Sequence, residues 1–270
     1  MKQALTLYHV NEITGGVSQD QAAKIAAVMN VPVTIVTGSS NLIGENPIGF
    51  FTAVAAQVLL FFAVITGLST ISIGVVEEKS SRVVEILLSS VRPRTLLLGK
   101  ILGIGLFVLL QLALYISAAV ISLKISGLWM GFEISALIVW MIVWILVGFF
   151  IFVTISGGIS ATVSRQEDLG GIITPITIGM MIPFYLGMYL VPALPDSIWT
   201  KVLSMIPGFS SFIMPARQAF DTVETWELFL AAGIGIVCLP LLAALSGKIY
   251  ENSILRMGKR VSLREALSKK

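Results

Sequence analysis

The chain has 270 residues, of which 56% are hydrophobic and only 12% are charged, and its formal net charge is +3. Soluble domains carry about 25% charged residues, so this composition excludes an ordinary soluble domain. A single cysteine and a single histidine also exclude an intrachain disulfide and a histidine-based metal cluster.

Residues 1–46 form a polar segment that precedes the first apolar run. Gln19–Met29 predicts a short helix with Ser18 as its N-cap, and Pro32–Val36 predicts a strand. One helix and one strand are too little for a hydrophobic core of their own. We therefore expect a small extracellular α/β remnant, the last part of a larger domain whose beginning is absent.

The rest of the chain separates its charges from long apolar runs. Five windows of at least 20 residues contain no Asp, Glu, Lys or Arg, and a helix needs about 20 apolar residues to cross the hydrocarbon core. The fold class predicted is an all-α integral membrane protein with five transmembrane helices. The windows are Asn46–Val76, Ile101–Leu123, Ile134–Ser164, Leu169–Pro195 and Leu228–Gly247.

The stretch Val76–Lys100, between the first two windows, is the most charged part of the chain. Apolar residues recur there at the helical spacing i, i+3, i+4, i+7 and predict one amphipathic helix, which Pro93 ends. The apolar residues are Val84, Leu87, Leu88 and Val91. The other face has both signs of charge, with Glu77, Glu78 and Glu85 beside Arg82 and Arg92.

Such a helix either lies on anionic headgroups or contacts a protein, since it is too short to cross the bilayer. Headgroup-binding faces are mostly basic, whereas this face mixes acidic and basic residues. The mixture favours a protein partner. Because the helix joins two spans through a proline corner, a displacement of the helix would reach both spans.

The later part of the chain holds two proline-marked segments. Pro175 and Pro183 predict a kinked or broken fourth span, which neighbouring helices can tolerate. The loop 192–227 contains an apolar run too short to span, which is either an interfacial helix or a segment that enters the outer leaflet and shapes an exit path. Its candidate residues are Pro207, Phe209, Phe212, Met214 and Pro215.

Basic residues orient the chain by the positive-inside rule. The loop 77–100 has five Lys or Arg residues and the tail after the last span has seven, whereas the opposite side has few, spread over long segments. We therefore expect the N-terminus outside, the C-terminus in the cytoplasm, and the amphipathic helix on the cytoplasmic side. The division expected is an extracellular segment 1–46, a transmembrane domain 47–249 and a basic cytoplasmic tail 250–270.

No ionisable residue stands out inside the five windows, which disfavours a proton- or ion-coupled carrier. The polar residues there either hold helices together or line a path. The candidate path-lining residues are Gln57, Gln111, Tyr115 and Thr154. The chain also lacks a Walker-type phosphate loop, a nucleophile constellation and a metal-ligand spacing, so it is not expected to be an enzyme or to bind a cofactor.

The run VEEKSSRVVEILLSSVRPRTLLLGKILG, which begins at Val76, resembles the cytoplasmic loop of type-2 ABC export permeases of the sodium-efflux (NatB-like) branch. The SRQED loop from Ser164 and the IPGFSSFIMPAR segment from Ile206 are similar to that branch too. The resemblance implies the permease subunit of an ATP-driven exporter for sodium or another cargo. Family members have six spans, so the first span is expected to be missing from this chain.

The resemblance also implies partners and site residues. ATP and Mg would be bound by separate cytoplasmic ATPase subunits, and a second permease chain would complete the path in a prokaryotic cytoplasmic membrane, with no role for nucleic acid. The helix Glu77–Arg92 would be the coupling helix that meets the ATPase. Its expected contact residues are Glu77, Glu78, Lys79, Arg82, Glu85 and Arg92. The alternative function is a non-transporting assembly or sensor protein with a lipid-bound helix.

Overall fold

The computed structural model describes residues 47–81, 83–126, 136–256 and 261–268. Within these ranges the regular structure is helical. The predicted helix Gln19–Met29 and strand Pro32–Val36 lie outside the described residues. The longer helices and the last short one, labelled in chain order, are α1 (Pro47–Ser80), α2 (Val83–Ser90), α3 (Pro93–Ile125), α4 (Ala136–Ser160), α5 (Gly170–Tyr185), α6 (Ile198–Met205), α7 (Ser210–Ala219), α8 (Thr225–Ser253) and α9 (Leu263–Leu267). A 3-10 turn, Gln166–Leu169, precedes α5, and a single helical turn, Val191–Ala193, ends the fourth span.

Five helical segments of the described chain are long and apolar enough to cross a membrane. This confirms the five predicted spans. α1 alone has 34 residues, or about 51 Å at 1.5 Å per residue, so it is longer than a hydrocarbon core of about 30 Å. The segments are Gly49–Ser80, Pro93–Ser122, Val139–Ser160, Gln166–Ala193 and Thr225–Ser253.

The prediction of one helix from Glu77 to Arg92 is wrong. Glu77–Ser80 form the last turn of α1, and α2 is a separate helix of 8 residues. The hydroxyl groups of Ser80 and Ser81 both donate to the Glu77 carbonyl oxygen, at 2.9 and 2.8 Å. The same carbonyl also accepts the Ser81 N–H at 3.0 Å. Serine hydroxyls that bond back to a preceding carbonyl weaken and bend helices, which favours a break after Ser80.

Pro93 marks the helix boundary that the sequence predicts, and it also begins the next helix. Arg92 is extended, with φ −67° and ψ 140°, and Pro93 occupies the first turn of α3. A proline needs no hydrogen-bond acceptor at this position and restricts the residue before it to extended backbone. The corner between α2 and α3 is therefore short and conformationally restricted.

α4 is the central helix, with more than half of its span buried between α1 and α8. Small residues allow α4 to approach α1 and α8 closely. This is expected in a membrane, because lipid provides no hydrophobic driving force for helix association. A Cβ on Gly158 would lie 2.7 Å from Ser246 Cα in α8, and one on Gly67 would lie 2.7 Å from Val153 Cγ2 in α4. The interior also holds Trp144 and Phe149.

The bundle has two ends that differ in structure. The C-terminal ends of α1, α4 and α8 meet near α2, which we call the α2 end. The helices α6 and α7 lie against the N-terminal halves of the same long helices, which we call the α7 end. Part of the predicted basic tail packs at the α2 end, where Val261 N–H donates to the Thr162 carbonyl at 3.0 Å and Ala266 is buried.

The fourth span is irregular, as its prolines predict. α5 contains Pro175 and Pro183 and is followed directly by a π-helical segment, Leu186–Leu190. A proline has no N–H for the regular i→i−4 ladder, and π-helical turns are common where that ladder is interrupted.

The close contact between α4 and α8 gives a first prediction. Gly158→Ala should lower the free energy of unfolding by about 1–3 kcal/mol, because its methyl group would meet the Ser246 backbone. Gly233→Ala in α8 is the matched control, since nothing lies within 4 Å of a Cβ there. SDS titration in mixed micelles measures both, and equal unfolding free energies would contradict this contact.

Candidate functional site

The α2 helix presents two different sides. Of the four predicted apolar residues, Val84 is fully buried in the main core, Leu87 and Leu88 are partly buried, and Val91 is 40% exposed. Three of the four therefore pack at least partly against the chain itself. On the other side Ile86 is 74% exposed and Glu85 is exposed. α2 is thus fixed to the bundle on one side and offers an apolar residue beside a carboxylate on the other.

The six predicted coupling residues do not share one surface. Three of them, Glu77, Glu85 and Arg92, are exposed at the α2 end. Glu78 is partly buried and forms an ion pair with Lys100 of α3. Arg82 lies outside the described residues.

Lys79 was expected to contact a partner, but its side chain is 0% exposed. Its ammonium donates to the carbonyl oxygens of Ala161 and Ser253, at 2.6 and 2.9 Å. Lys79 follows Ser72, Val75 and Val76 at helical spacing, and the structure buries all three. The register of α1 therefore turns Lys79 inward.

Hydroxyl groups continue this polar interior toward the middle of the bundle. The Ser72 and Ser156 hydroxyl oxygens lie 2.8 Å apart, and Ser160 donates to Ser72 at 2.8 Å. Thr154, a predicted path-lining residue, is buried in the same helix as Ser156. In the described structure these groups act between helices, which is the common role of small hydroxyl residues in membranes.

At the α7 end, α6 and α7 form a helical hairpin whose tip reaches the middle of the bundle. Gly208 at the tip has φ +87°, a left-handed conformation that favours glycine, and a Cβ there would lie 3.5 Å from Phe152 Cζ of α4. Pro207 lines one groove with Gly233 and Val237, in the central part of α8. This geometry is that of a segment that enters the bundle and turns back.

The interior of this hairpin is α7, all of whose residues are buried. Among the predicted residues of this segment, Phe212, Met214 and Pro215 are buried in α7, whereas Phe209 and Pro207 before it are partly buried. The Phe212 ring lies 6.3 Å from that of Phe152 and 6.2 Å from that of Phe184, measured between centroids. α7 is therefore enclosed by the long helices.

Gln57 attaches α7 to α1. Its Nε2 donates to the Phe212 carbonyl oxygen at 3.0 Å, about 15 Å along α1 from Pro47, since the two residues are 10 apart. Gly187 of the π-helical segment packs on this bond, because a Cβ there would lie 2.5 Å from Gln57 Nε2. The bond thus joins α1 to α7, and the fourth span packs against it.

The four predicted path-lining residues are not brought together. Gln57 and Thr154 are buried inside the bundle. Gln111 instead donates to the Tyr115 hydroxyl at 2.6 Å along α3, on the exposed side of the bundle. Tyr115 is 53% exposed.

A buried ion pair at the α7 end was missed by the sequence analysis. Arg217, in the last turn of α7, pairs with Glu227 in the first turn of α8, and both side chains are almost fully buried. Its guanidinium also donates to the Ser204 hydroxyl at 2.7 Å and to the Thr222 carbonyl at 2.9 Å. Each charge sits at the helix end whose dipole favours it.

The neighbouring residue, Gln218, accepts a hydrogen bond from the Trp144 indole at 2.8 Å. The Arg217 contacts therefore fix α6, α7 and α8 to one another, and Gln218 fixes α7 to α4. Among the residues that the structure describes, no group of three or more His, Cys, Asp or Glu side chains is placed to hold a metal ion.

Comparison with known proteins assigns a family to this architecture. A family model described as ABC-2 family transporter protein matches residues 2–248. The chain belongs to the ABC-2 transporter family. It is a multi-pass membrane component of that family, whose members generally pair with ATPase subunits.

Two curated relatives of this ABC-2 chain are similar over most of its length. It is 33% identical over 211 residues to Uncharacterized protein YhaP of Bacillus subtilis (strain 168), which covers 74% of this chain and 50% of that protein. It is 27% identical over 227 residues to Uncharacterized protein MJ1024 of Methanocaldococcus jannaschii, which covers 82% and 52%. The chain spans about half the length of these relatives. No solved structure gives a significant match.

The Arg217–Glu227 pair gives a second prediction. Arg217→Met should lower the free energy of unfolding by about 3–5 kcal/mol, because Glu227 is left as an unpaired buried charge. Arg256→Met is the matched control and should cost about 1 kcal/mol or less, since its pair with Glu265 is partly exposed. SDS titration followed by tryptophan fluorescence measures both variants.

The double variant Arg217→Met with Glu227→Leu separates lost charge balance from lost packing. It should recover part of the stability, because no charge is then left buried without a partner. A double variant no more stable than Arg217→Met would show that the unpaired charge of Glu227 does not cause the loss of stability.

Proposed function

We propose that this chain is the permease subunit of an ATP-driven ABC exporter, and that α2 is the surface on which a separate ATPase subunit acts. The observation that carries the proposal is the two-sided structure of α2. Val84 holds the helix to the bundle, while Ile86 and Glu85 remain exposed. An apolar side chain bordered by charge is typical of a protein-binding surface.

The lipid-bound alternative is less well supported by the same residues. An amphipathic helix that lies on a membrane needs its apolar face free for the acyl region. Most of the predicted apolar face of α2 is instead occupied, with Val84 fully buried and Leu88 packed against the core. The exposed surface mixes the acidic Glu85 with Arg92, whereas surfaces that bind anionic lipid are mostly basic.

Two covalent connections carry a displacement of α2 into the bundle. On one side, α2 is joined to α1 through Ser81 and the residue after it. On the other, the proline corner at Pro93 begins α3 directly. α1 then runs from the α2 end to the Gln57–Phe212 bond, so one continuous helix links the ATPase surface to the re-entrant hairpin.

The remaining features of the proposal follow from the resemblance and the charge distribution. ATP and Mg are bound by the partner, and a second permease chain, identical or related, completes the path. The α2 end faces the cytoplasm of a prokaryotic cell, and the α6–α7 hairpin faces outward. Sodium, the cargo of the NatB-like branch, is the first candidate to test.

A third prediction tests α2 as the ATPase surface. Ile86→Glu combined with Glu85→Lys should weaken binding of the partner ABC ATPase by about tenfold or more, because an exposed apolar anchor is removed. Arg264→Glu in α9 is the control, an exposed charge change elsewhere on the chain. Co-purification from nanodiscs, quantified by titration, measures both.

Equal ATPase binding by the α2 variant and the wild-type chain would reject the coupling surface. A chain that binds no ATPase, and whose α2 protection instead increases with anionic lipid in the nanodisc, would favour the non-transporting alternative. Sodium is tested by ²²Na⁺ efflux from proteoliposomes that contain both chains.

A further inference from the structure

Three helix ends converge around one buried cation at the α2 end. The last turns of α1, α4 and α8 all finish there, and each helix end leaves main-chain carbonyl oxygens without an intrahelical donor. These ends also carry the partial negative charge of their helix dipoles. A positive charge among them is therefore electrostatically favourable.

Lys79 supplies that charge. Its Nζ donates to Ala161 O, just after α4, and to Ser253 O, the last residue of α8. The two acceptors are 82 and 174 residues away in the chain. Both are main-chain oxygens, so the contact depends on where the helix ends lie and not on a partner side chain.

The choice of lysine at this buried position needs a reason beyond stability. A buried charge costs desolvation energy, and well-packed apolar residues are often as stabilising as a buried ionic group. The neighbouring inward positions of α1 are apolar, as at Val75 and Val76. A lysine there gives directional bonds to two other helices, which an apolar side chain cannot give.

The position of Lys79 also connects it to α2. It lies 4 residues before Val83, where α2 begins, so it belongs to the part of α1 that a displacement of α2 reaches first. Among the other polar contacts near these helix ends, the buried Ser160–Ser72 bond joins α4 to α1 but not to α8. The Arg94–Glu251 pair joins α3 to α8, and its side chains are 57% and 43% exposed. Exposed pairs contribute little.

We propose that Lys79 is the positioning residue that makes the ends of α1, α4 and α8 move as one rigid unit, so that a displacement of α2 reaches α4 and α8 as well as α1. The inference rests on the proposed function for the source of that displacement. Without the ammonium, the Ala161 carbonyl loses its bond to α1, and the Ser253 carbonyl keeps, among the described residues, only the Arg256 N–H, at 3.1 Å within its own chain segment. The last turn of α1 then has no side-chain hydrogen bond from Lys79 to the ends of α4 and α8.

Hydrogen exchange of the full chain in nanodiscs tests the proposal. In the wild-type chain, segments 73–81, 156–163 and 248–256 should exchange together as one cooperative unit. In Lys79→Met all three should exchange about tenfold faster or more and at different rates. Lys79→Arg, which keeps the charge and the donors, should restore slow exchange, and Lys201→Met on exposed α6 is the control.

Unchanged exchange of 156–163 and 248–256 in Lys79→Met would overturn the proposal. Exchange of Lys79→Arg as fast as that of Lys79→Met would overturn it too. The arginine variant keeps the positive charge and the donors, and the methionine variant does not, so equal exchange would mean that neither the charge nor the donors matter. If Lys79→Met does not fold, Lys79→Arg decides the question. Slow exchange of all three segments as one unit supports the proposal, and fast exchange at different rates overturns it.

A second arm separates this inference from the proposed function. With the partner ABC ATPase bound, addition of ATP should change exchange in all three segments of the wild-type chain, but only in segment 73–81 of Lys79→Met. ATPase affinity should be equal in both, because Lys79 is buried. A wild-type chain that binds no ATPase counts against the proposed function. The exchange measured without ATP still tests whether Lys79 joins the three helix ends.

Discussion

The close approach of α1, α4 and α8 is the constraint on which the rest of the structure depends. Lipid offers no hydrophobic drive for these helices to associate, so contact must come from small residues and interhelical bonds. Gly67 and Gly158 allow the backbones to meet, and the Ser72–Ser156 contact joins α1 to α4 inside the bundle. With α4 held in the centre, the ends of all three helices are placed together.

Each end of this bundle then satisfies its polar backbone in a different way. At the α2 end, Lys79 bonds main-chain carbonyls of two other helices, and α2 projects from the same place. At the α7 end, a hairpin enters the bundle and is fixed by Arg217 and Gln57. α1 contributes to both sets of contacts, and this continuity is the structural basis for relating the proposed ATPase surface on α2 to the α6–α7 hairpin.

The spans could be predicted from the sequence because each requires only a long uncharged apolar run. The boundary at Pro93 could be predicted because a proline cannot continue a preceding helix. The single amphipathic helix from Glu77 could not be predicted correctly. Its apolar spacing continues across Ser80 and Ser81, whereas the structure breaks the helix there, where both serine hydroxyls bond back to the Glu77 carbonyl. The re-entrant segment was one of two interpretations, because its apolar run is compatible with either an interfacial or a buried helix.

The sequence by itself determined the five spans, the charged segment between the first two and the proline-marked irregularities, since these follow from local composition and backbone chemistry. Only the tertiary structure decided which charges face inward. Lys79 reads as one more basic residue of a cytoplasmic loop, and Arg217 and Glu227 as residues of a surface loop, until helix register and packing bury them. Their partners lie in other helices, and residue spacing along one chain carries no record of which helix ends will meet in space.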